Sequence, residues 1–371
     1  MSEDCLYLNV FAPVATDSLK PVLVYIHGGG FKSGGISLEV HDSSELSVRG
    51  DLVTVAVAYR LGAFGILNLG VEDVPGNMGL HDQVLALRWV KNNIRSFGGD
   101  PEKVTLMGFS AGSFSVSAHI LSPLSKGLFN RVIMQSSSAL TRGVHTTRDE
   151  VYRRVSKLAA DLGCETPERQ RQSNKKEVVQ CLRSKDTATI LAATNGVNSI
   201  PVDTFLPVFG DGFLPEEPKA ALRNGHFNAV DLLAGITEAE GDFLLYYIFD
   251  PVFDLSSAES VTKRYLTFLL KTALAANVDV DPDIILGHYF SGVKEDDGVQ
   301  VLRTGADILG HTAVVCPTLE FAKMFESRNN SVYVYRFSHR PSFSEHPEWV
   351  RTTHCDDIPF SLGSIFKVVK D

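Results

Sequence analysis

The chain has 371 residues, 44% hydrophobic and 21% charged, with a net charge of −9 from 35 Lys and Arg against 44 Asp and Glu. That composition is ordinary for a globular protein and excludes collagen-like, coiled-coil and disordered chains. An acidic surface with no basic stripe repels phosphate backbones, so nucleic acid is not expected as a partner. No apolar run approaches the roughly 18–20 residues that span a bilayer.

In chain order, the opening Met1-Ser2-Glu3-Asp4-Cys5 carries neither the basic nor the apolar region of a secretory signal. Apolar runs at 22–26, 52–58, 104–107, 132–134 and 232–236 read as buried strands, because parallel strands covered on both faces are continuously hydrophobic. Leu80, Val84, Leu87, Val90 and Ile94 step by three or four residues, which predicts one buried helix face. Phe97-Gly98-Gly99-Asp100-Pro101 ends it. The segment from about 144 to 198 is charged and helical in pattern, an insertion rather than a second domain, and a further helical region runs from about 256 to 305. Strands alternating with helices predict an α/β sheet covered on both faces, with one continuous core.

Two strand ends carry chemistry. His27-Gly28-Gly29-Gly30-Phe31 comes directly after the strand at 22–26. Its glycines free backbone N–H groups to converge on one oxygen, as an oxyanion hole requires. A phosphate loop would need GxxxxGK[ST], which is missing. Gly108-Phe109-Ser110-Ala111-Gly112 lies between the strand at 104–107 and a helix-compatible stretch. A turn this tight strains its central residue and exposes the serine hydroxyl, provided glycines flank it. A bare GxSxG recurs in unrelated proteins; its place between strand and helix is what gives it meaning.

A serine hydroxyl is a weak nucleophile until a base takes its proton and an acid orients the base. With the chain order Ser, Asp/Glu, His, spacing leaves His288, His311, His339, His346 and His354 as bases. It leaves Glu238, Glu240, Asp242 and the more distant Asp211 as acids. Residue spacing does not choose among them.

The two motifs, together with Glu3-Asp4-Cys5-Leu6-Tyr7-Leu8-Asn9, Asn77-Met78-Gly79-Leu80 and Phe97-Gly98-Gly99-Asp100-Pro101, resemble the carboxylesterase/cholinesterase family (type-B carboxylesterases). The likeness runs from Glu3 to about Phe366. It implies an α/β-hydrolase fold: a mostly parallel central sheet, helices on both faces and helical insertions, with residues 1–371 forming a single domain incomplete at both termini. The family's acid is a Glu followed by Gly, with an aromatic three residues after the Glu, as in Glu240-Gly241-Asp242-Phe243. Its base is a His in an H-x-x-[DE]-x-x-[FY] segment after Pro-Glu-Trp, as in His354-Cys355-Asp356-Asp357-Ile358-Pro359-Phe360 after Pro347-Glu348-Trp349.

The resemblance therefore implies Ser110, Glu240 and His354 as catalytic residues and the N–H groups of Gly29, Gly30 and Ala111 as the oxyanion hole. The expected activity is ester hydrolysis through an acyl-enzyme. Its partner is a small-molecule ester, with no cofactor and no metal. Phe31, Phe109, Phe243 and Leu244 are expected to line the substrate pocket. Phe109 departs from the Glu that many members carry, Lys32 stands where some cholinesterases place an aromatic, and the choline-binding tryptophan of the family would lie before Met1. These departures favour a general carboxylesterase over an acetylcholinesterase. Similarity also pairs Cys164 with Cys181, and it gives Cys5 and Cys316 partners outside this chain, as in a fragment. Cys355 has no family partner and is expected as a partly buried free thiol without a catalytic role. The sequon at Asn329 and the disulfide-compatible cysteines point to the extracellular space or the secretory lumen. The run Asp279-Val280-Asp281-Pro282-Asp283 lacks the Gly and the closing Glu of a calcium loop and reads as a helix start. A non-catalytic binding or adhesion protein, or an inert fragment, is the alternative.

Overall fold

A computed structural model of the chain describes residues 2–14, 18–71, 74–165, 175–196, 205–249, 258 and 261–368. The strands in chain order are β1 (Leu8–Phe11), β2 (Lys20–Ile26), β3 (Val53–Val57), β4 (Asn68–Val71), β5 (Val74–Pro75), β6 (Gly99–Phe109), β7 (Arg131–Gln135), β8 (Asp231–Thr237) and β9 (Val332–Phe337). Seven form one sheet in the order β1-β3-β2-β6-β7-β8-β9; β4 and β5 pair separately. Only β1 runs antiparallel to its neighbour in the large sheet. The apolar runs read from sequence lie within or across β2, β3, β6, β7 and β8. β6 begins five residues earlier than its run because the chain already pairs with β2 at Gly99 opposite Lys20.

Register brings the ends of the strands into line. Ile26 pairs with Gly108, Phe109 with Gln135, Gln135 with Gly235, and Thr237 with Phe337. The segments leaving β2, β6 and β8 therefore emerge along one edge of the sheet, the carboxyl edge where open α/β sheets build their sites.

The predicted stripe Leu80, Val84, Leu87, Val90 and Ile94 is buried on the helix Met78–Asn93 and its 3-10 extension. The 144–198 segment forms the helices Arg148–Asp161, Lys175–Arg183 and Thr187–Gly196. Val151, Val155, Leu158, Val178 and Leu182 pack into the main core beneath the sheet. Residues 166–174 and 197–198 of that segment lie outside the described residues. The core is divided, against the expectation of a continuous one. The helices Lys263–Asn277, Pro282–Tyr289 and Gly298–Gly310 close around their own cluster with Leu245, Trp349 and Val350. Apolar side chains on elements that do not reach the sheet have to bury against one another. Asp281 caps the helix Pro282–Tyr289 by accepting the Asp283 amide, as the helix-start reading expects. Among the described residues no helix is long and apolar enough to cross a membrane.

Candidate active site

Ser110 sits between β6 and the helix Ala111–Leu121 with φ 53° and ψ −119°. An L-residue avoids that conformation unless its surroundings over-determine it. Here its amide donates to the Gln135 carbonyl at 2.8 Å, and its carbonyl accepts the Phe114 amide at 2.9 Å. A Cβ on Gly112 would lie 2.0 Å from the Ile26 carbonyl oxygen, so only glycine lets the helix start this close to β2. Ser110 is left half-exposed at the sheet edge.

The loop after β2 lies against this turn. A Cβ on Gly28 would meet Phe109 Cδ1 at 2.8 Å and Ser110 Cβ at 3.0 Å. Gly29 (φ 111°) and Gly30 (φ 62°) then turn the chain, and both are half-exposed beside the serine. The loop is anchored from below. Tyr59 Oη donates to the His27 carbonyl at 2.8 Å, and its ring stacks on the His27 imidazole with centroids 4.5 Å apart. Burial lowers the His27 pKa to about 4, against a smaller opposing effect of its bond to the Gly28 carbonyl.

His354 joins the groups. Its Nε2 lies 2.9 Å from Ser110 Oγ, and its Nδ1 lies 2.7 Å from Glu240 Oε2. Both contacts are satisfied when Nδ1 carries the proton and donates it to Glu240 while the serine hydroxyl donates to Nε2. The other Glu240 oxygen accepts the Thr237 amide at 2.7 Å. Burial pushes this carboxyl up, but the His354 hydrogen bond and charge and the Thr237 amide more than offset it, leaving the pKa below the ordinary glutamate value. A buried ionised carboxylate facing an imidazole stabilises the imidazolium.

The acid and the base are 114 residues apart in sequence, and a short zipper joins them. The Ala239 amide donates to the Thr352 carbonyl at 2.9 Å. Thr353 Oγ1 donates to the Ala239 carbonyl at 3.1 Å and accepts the Phe243 amide at 2.8 Å. Arg351 pairs with buried Asp242 at 2.7 Å and with Asp307 at 2.6 Å. Gly241 permits this because a Cβ there would lie 1.7 Å from the Ala306 carbonyl oxygen. Sequence reasoning missed Arg351, Thr353 and the structural part of Asp242. Opposite charges near an acid and a base were the only available signal, and nothing local pairs them.

The comparison with known proteins gives the family. A model described as carboxylesterase family matches residues 1–370. The chain belongs to the carboxylesterase family. It is 38% identical over 374 residues to acetylcholinesterase-1 of Trittame loki, covering 98% of this chain and 66% of that protein. It is 37% identical over 367 residues to acetylcholinesterase of Bungarus fasciatus, covering 98% of this chain and 59% of that protein. The chain thus spans about two thirds or less of the length of these curated relatives. Its mostly parallel seven-stranded sheet is the α/β-hydrolase fold of the carboxylesterase family.

The other candidates lie elsewhere. Asp211 accepts the Phe213 and Leu214 amides of its own turn. Glu238 pairs with Arg336, and Asp242 with Arg351. His311 Nδ1 lies 2.8 Å from Tyr289 Oη, His346 packs on Tyr246, and His288 and His339 are exposed. Of the residues expected to line a pocket, Phe243 and Leu244 are half-buried, and the Phe243 ring stacks on His354. Phe31 and Phe109 are 2% and 5% exposed. Phe31 packs edge-on against Phe114 within the main core. Cys164 and Cys181 form a disulfide, whereas Cys5, Cys316 and Cys355 are free. Cys355 occupies a left-handed turn position (φ 85°) just after His354; the residue as a whole is exposed, while burial of its thiol raises the thiol pKa. Asn329 is exposed beyond the helix Cys316–Glu326.

Proposed function

We propose that the protein is a serine hydrolase that cleaves carboxylic esters through an acyl-enzyme, working as one α/β unit without a cofactor. The observation that carries this reading is the continuous hydrogen-bonded line Ser110, His354, Glu240, at 2.9 and 2.7 Å. His354 takes the Ser110 proton as Oγ attacks the ester carbonyl, and Glu240 stabilises the imidazolium. The amides of Gly29, Gly30 and Ala111 receive the negative charge that develops on the carbonyl oxygen. The alcohol departs with the proton from His354. Water then enters, loses a proton to the same nitrogen, and releases the acid. A non-catalytic binding protein would have no use for a strained serine held against an imidazole and a buried carboxylate.

The preferred substrates are neutral esters with apolar acyl or alcohol groups rather than choline esters. Apolar Phe109 beside the nucleophile supports this, since many relatives carry a carboxylate there. Exposed Lys32 at the loop also supports it, because a cation repels a quaternary ammonium. The Cys164–Cys181 disulfide and the exposed sequon at Asn329 favour an extracellular or secretory-lumen location with glycosylation at Asn329.

The test is hydrolysis of p-nitrophenyl butyrate by purified protein, with acetylthiocholine in parallel and Ser110→Ala as control. The expected result is activity on the aryl ester that falls by about a million-fold in the variant, with little on the choline ester. Undiminished activity in Ser110→Ala would refute the mechanism, and a preference for acetylthiocholine would refute the substrate assignment.

A further inference from the structure

Two phenyl rings pack directly on the His354 imidazole. Phe109, at the end of β6, lies 4.7 Å away between centroids at 47°. Phe243, on the helix Glu240–Phe249, lies 5.6 Å away at 26°. We propose that Phe109, supported by Phe243, is a positioning residue for deacylation, holding the imidazole while Ser110 carries its acyl group. The inference rests on the ester-hydrolase reading and extends it to one half of the reaction.

The restraints on the imidazole change between the two half-reactions. In the free enzyme the ring is held at both nitrogens, by Ser110 Oγ and by Glu240. Once Oγ is esterified it has no proton to donate, and the Nε2 contact is gone. One hydrogen bond at Nδ1 leaves the ring free to swing about that contact. Packing then becomes the restraint that keeps Nε2 aimed at the acyl carbon. Phe109 is suited to it: the ring is 5% exposed and shares a cluster with Tyr25 and Ile358. Gly28 leaves the space the ring occupies, since a Cβ there would stand 2.8 Å from Phe109 Cδ1. Its burial also argues against direct contact with substrate.

In the step concerned, a water O–H bond breaks and its proton passes to His354 Nε2 while the water oxygen bonds to the acyl carbon. The tetrahedral intermediate collapses with loss of the bond to Ser110 Oγ, which takes the proton back from Nε2, and the carboxylic acid leaves. Each proton transfer requires Nε2 in line, and small misplacements of a general base are costly.

The two half-reactions separate with p-nitrophenyl dimethylcarbamate, which carbamoylates the serine quickly and leaves it slowly. In Phe109→Leu, which keeps apolar volume but removes the ring, decarbamoylation should slow by about tenfold. Carbamoylation should stay within about twofold of wild type, because Ser110 still holds the ring in that step. On p-nitrophenyl butyrate, kcat and KM should fall together. Phe243→Leu, at a half-exposed position, should slow the same step and covers the case in which Phe109→Leu does not fold. Equal slowing of both half-reactions, or slowing of neither, overturns the proposal, as does a rise in KM alone. A readout without turnover separates this from failure of the ester-hydrolase reading. The low-field proton resonance of the His354 Nδ1–H bond to Glu240 should broaden in Phe109→Leu, and an unchanged line overturns the proposal whether or not any ester is cleaved.

Discussion

Arg351 wraps the Asp242 carboxylate with three hydrogen bonds: its backbone amide at 2.7 Å, Nη2 at 2.7 Å and Nε at 3.2 Å. Asp242 lies two residues after Glu240 and Arg351 three before His354, so this pair sets the distance between acid and base. The Asp242 side chain is fully buried and that of Arg351 is 25% exposed. Removing one partner of such a pair leaves a poorly compensated charge. Asp242→Ala should destabilise the fold by about 3 kcal/mol, less than a lone buried charge would cost because Asp307 still engages Arg351. Urea unfolding measures the first effect, and a fall in kcat on p-nitrophenyl butyrate should accompany it; unchanged values of both would show that the pair neither holds the fold nor spaces the acid from the base.

Gly241→Ala places a methyl group where the Ala306 carbonyl oxygen stands, 1.7 Å away. Backbone is in the way, so the helix Glu240–Phe249 must move off its neighbour and carry Glu240 with it. A displacement of about 1 Å predicts a loss of kcat/KM of about 100-fold and a lower melting temperature. Wild-type activity in this variant would mean that the helix contact is dispensable.

Glu240→Gln keeps the shape of the side chain but removes the charge that faces His354 and can turn its N–H toward Nδ1. The expected loss in kcat is about 10⁴-fold, as for an orienting carboxylate made neutral in other Ser-His-acid sites. Steady-state kinetics with folding checked by circular dichroism tests it. A loss below about tenfold would point to another acid.

Burial lowers the pKa of His27, His41, His119 and His145, most strongly at His27 and His119. Burial lowers His27 to about 4 and His119 to about 3, the latter also under the charge of His81. In the unfolded chain both return to about 6.5. Between those values the unfolded state binds more protons, so stability present above about pH 6.5 is lost as pH falls toward the folded values. Each histidine should remove about 1.4 kcal/mol per pH unit in that window. Urea midpoints measured from about pH 7 to pH 5 should fall accordingly, and a flat series would contradict the burial of both groups.

The disulfide closes a loop with a sequence separation of 17, which restricts the unfolded chain by about 3 kcal/mol in the chain-entropy account. Cys164→Ser with Cys181→Ser should lower stability by that order, while activity measured well below the transition stays near wild type because the pair lies on the helical insertion. An active-site defect in the cold would show that the insertion shapes the site.

The local steric demands of this protein are written in its residues. A serine forced to φ 53° needs small neighbours, a strand covered on both faces needs continuous apolar side chains, and a helix needs its stripe. Each demand is met within a few positions of where it arises, so β2, β3, β6, β7 and β8, the turn at Ser110 and the glycine loop at 28–30 could be read one residue after another, whereas β1, β4, β5 and β9, which lack such buried apolar runs, were not read. Choosing Glu240 and His354 from several carboxylates and histidines by residue spacing was not possible, and family likeness made that choice before any geometry did. The acid and the base are brought together by pairing between Ala239 and Thr353, the charge of Arg351 on Asp242, and a bare Cα at Gly241 against Ala306, contacts that exist only once segments far apart in sequence are packed. The same holds for Phe31, buried although it comes at the end of a surface loop, and for Phe109, whose ring meets an imidazole from the far end of the chain. Short-range sterics act through neighbours in sequence; orientation of an acid and a base acts through neighbours in space, and only folding assigns those.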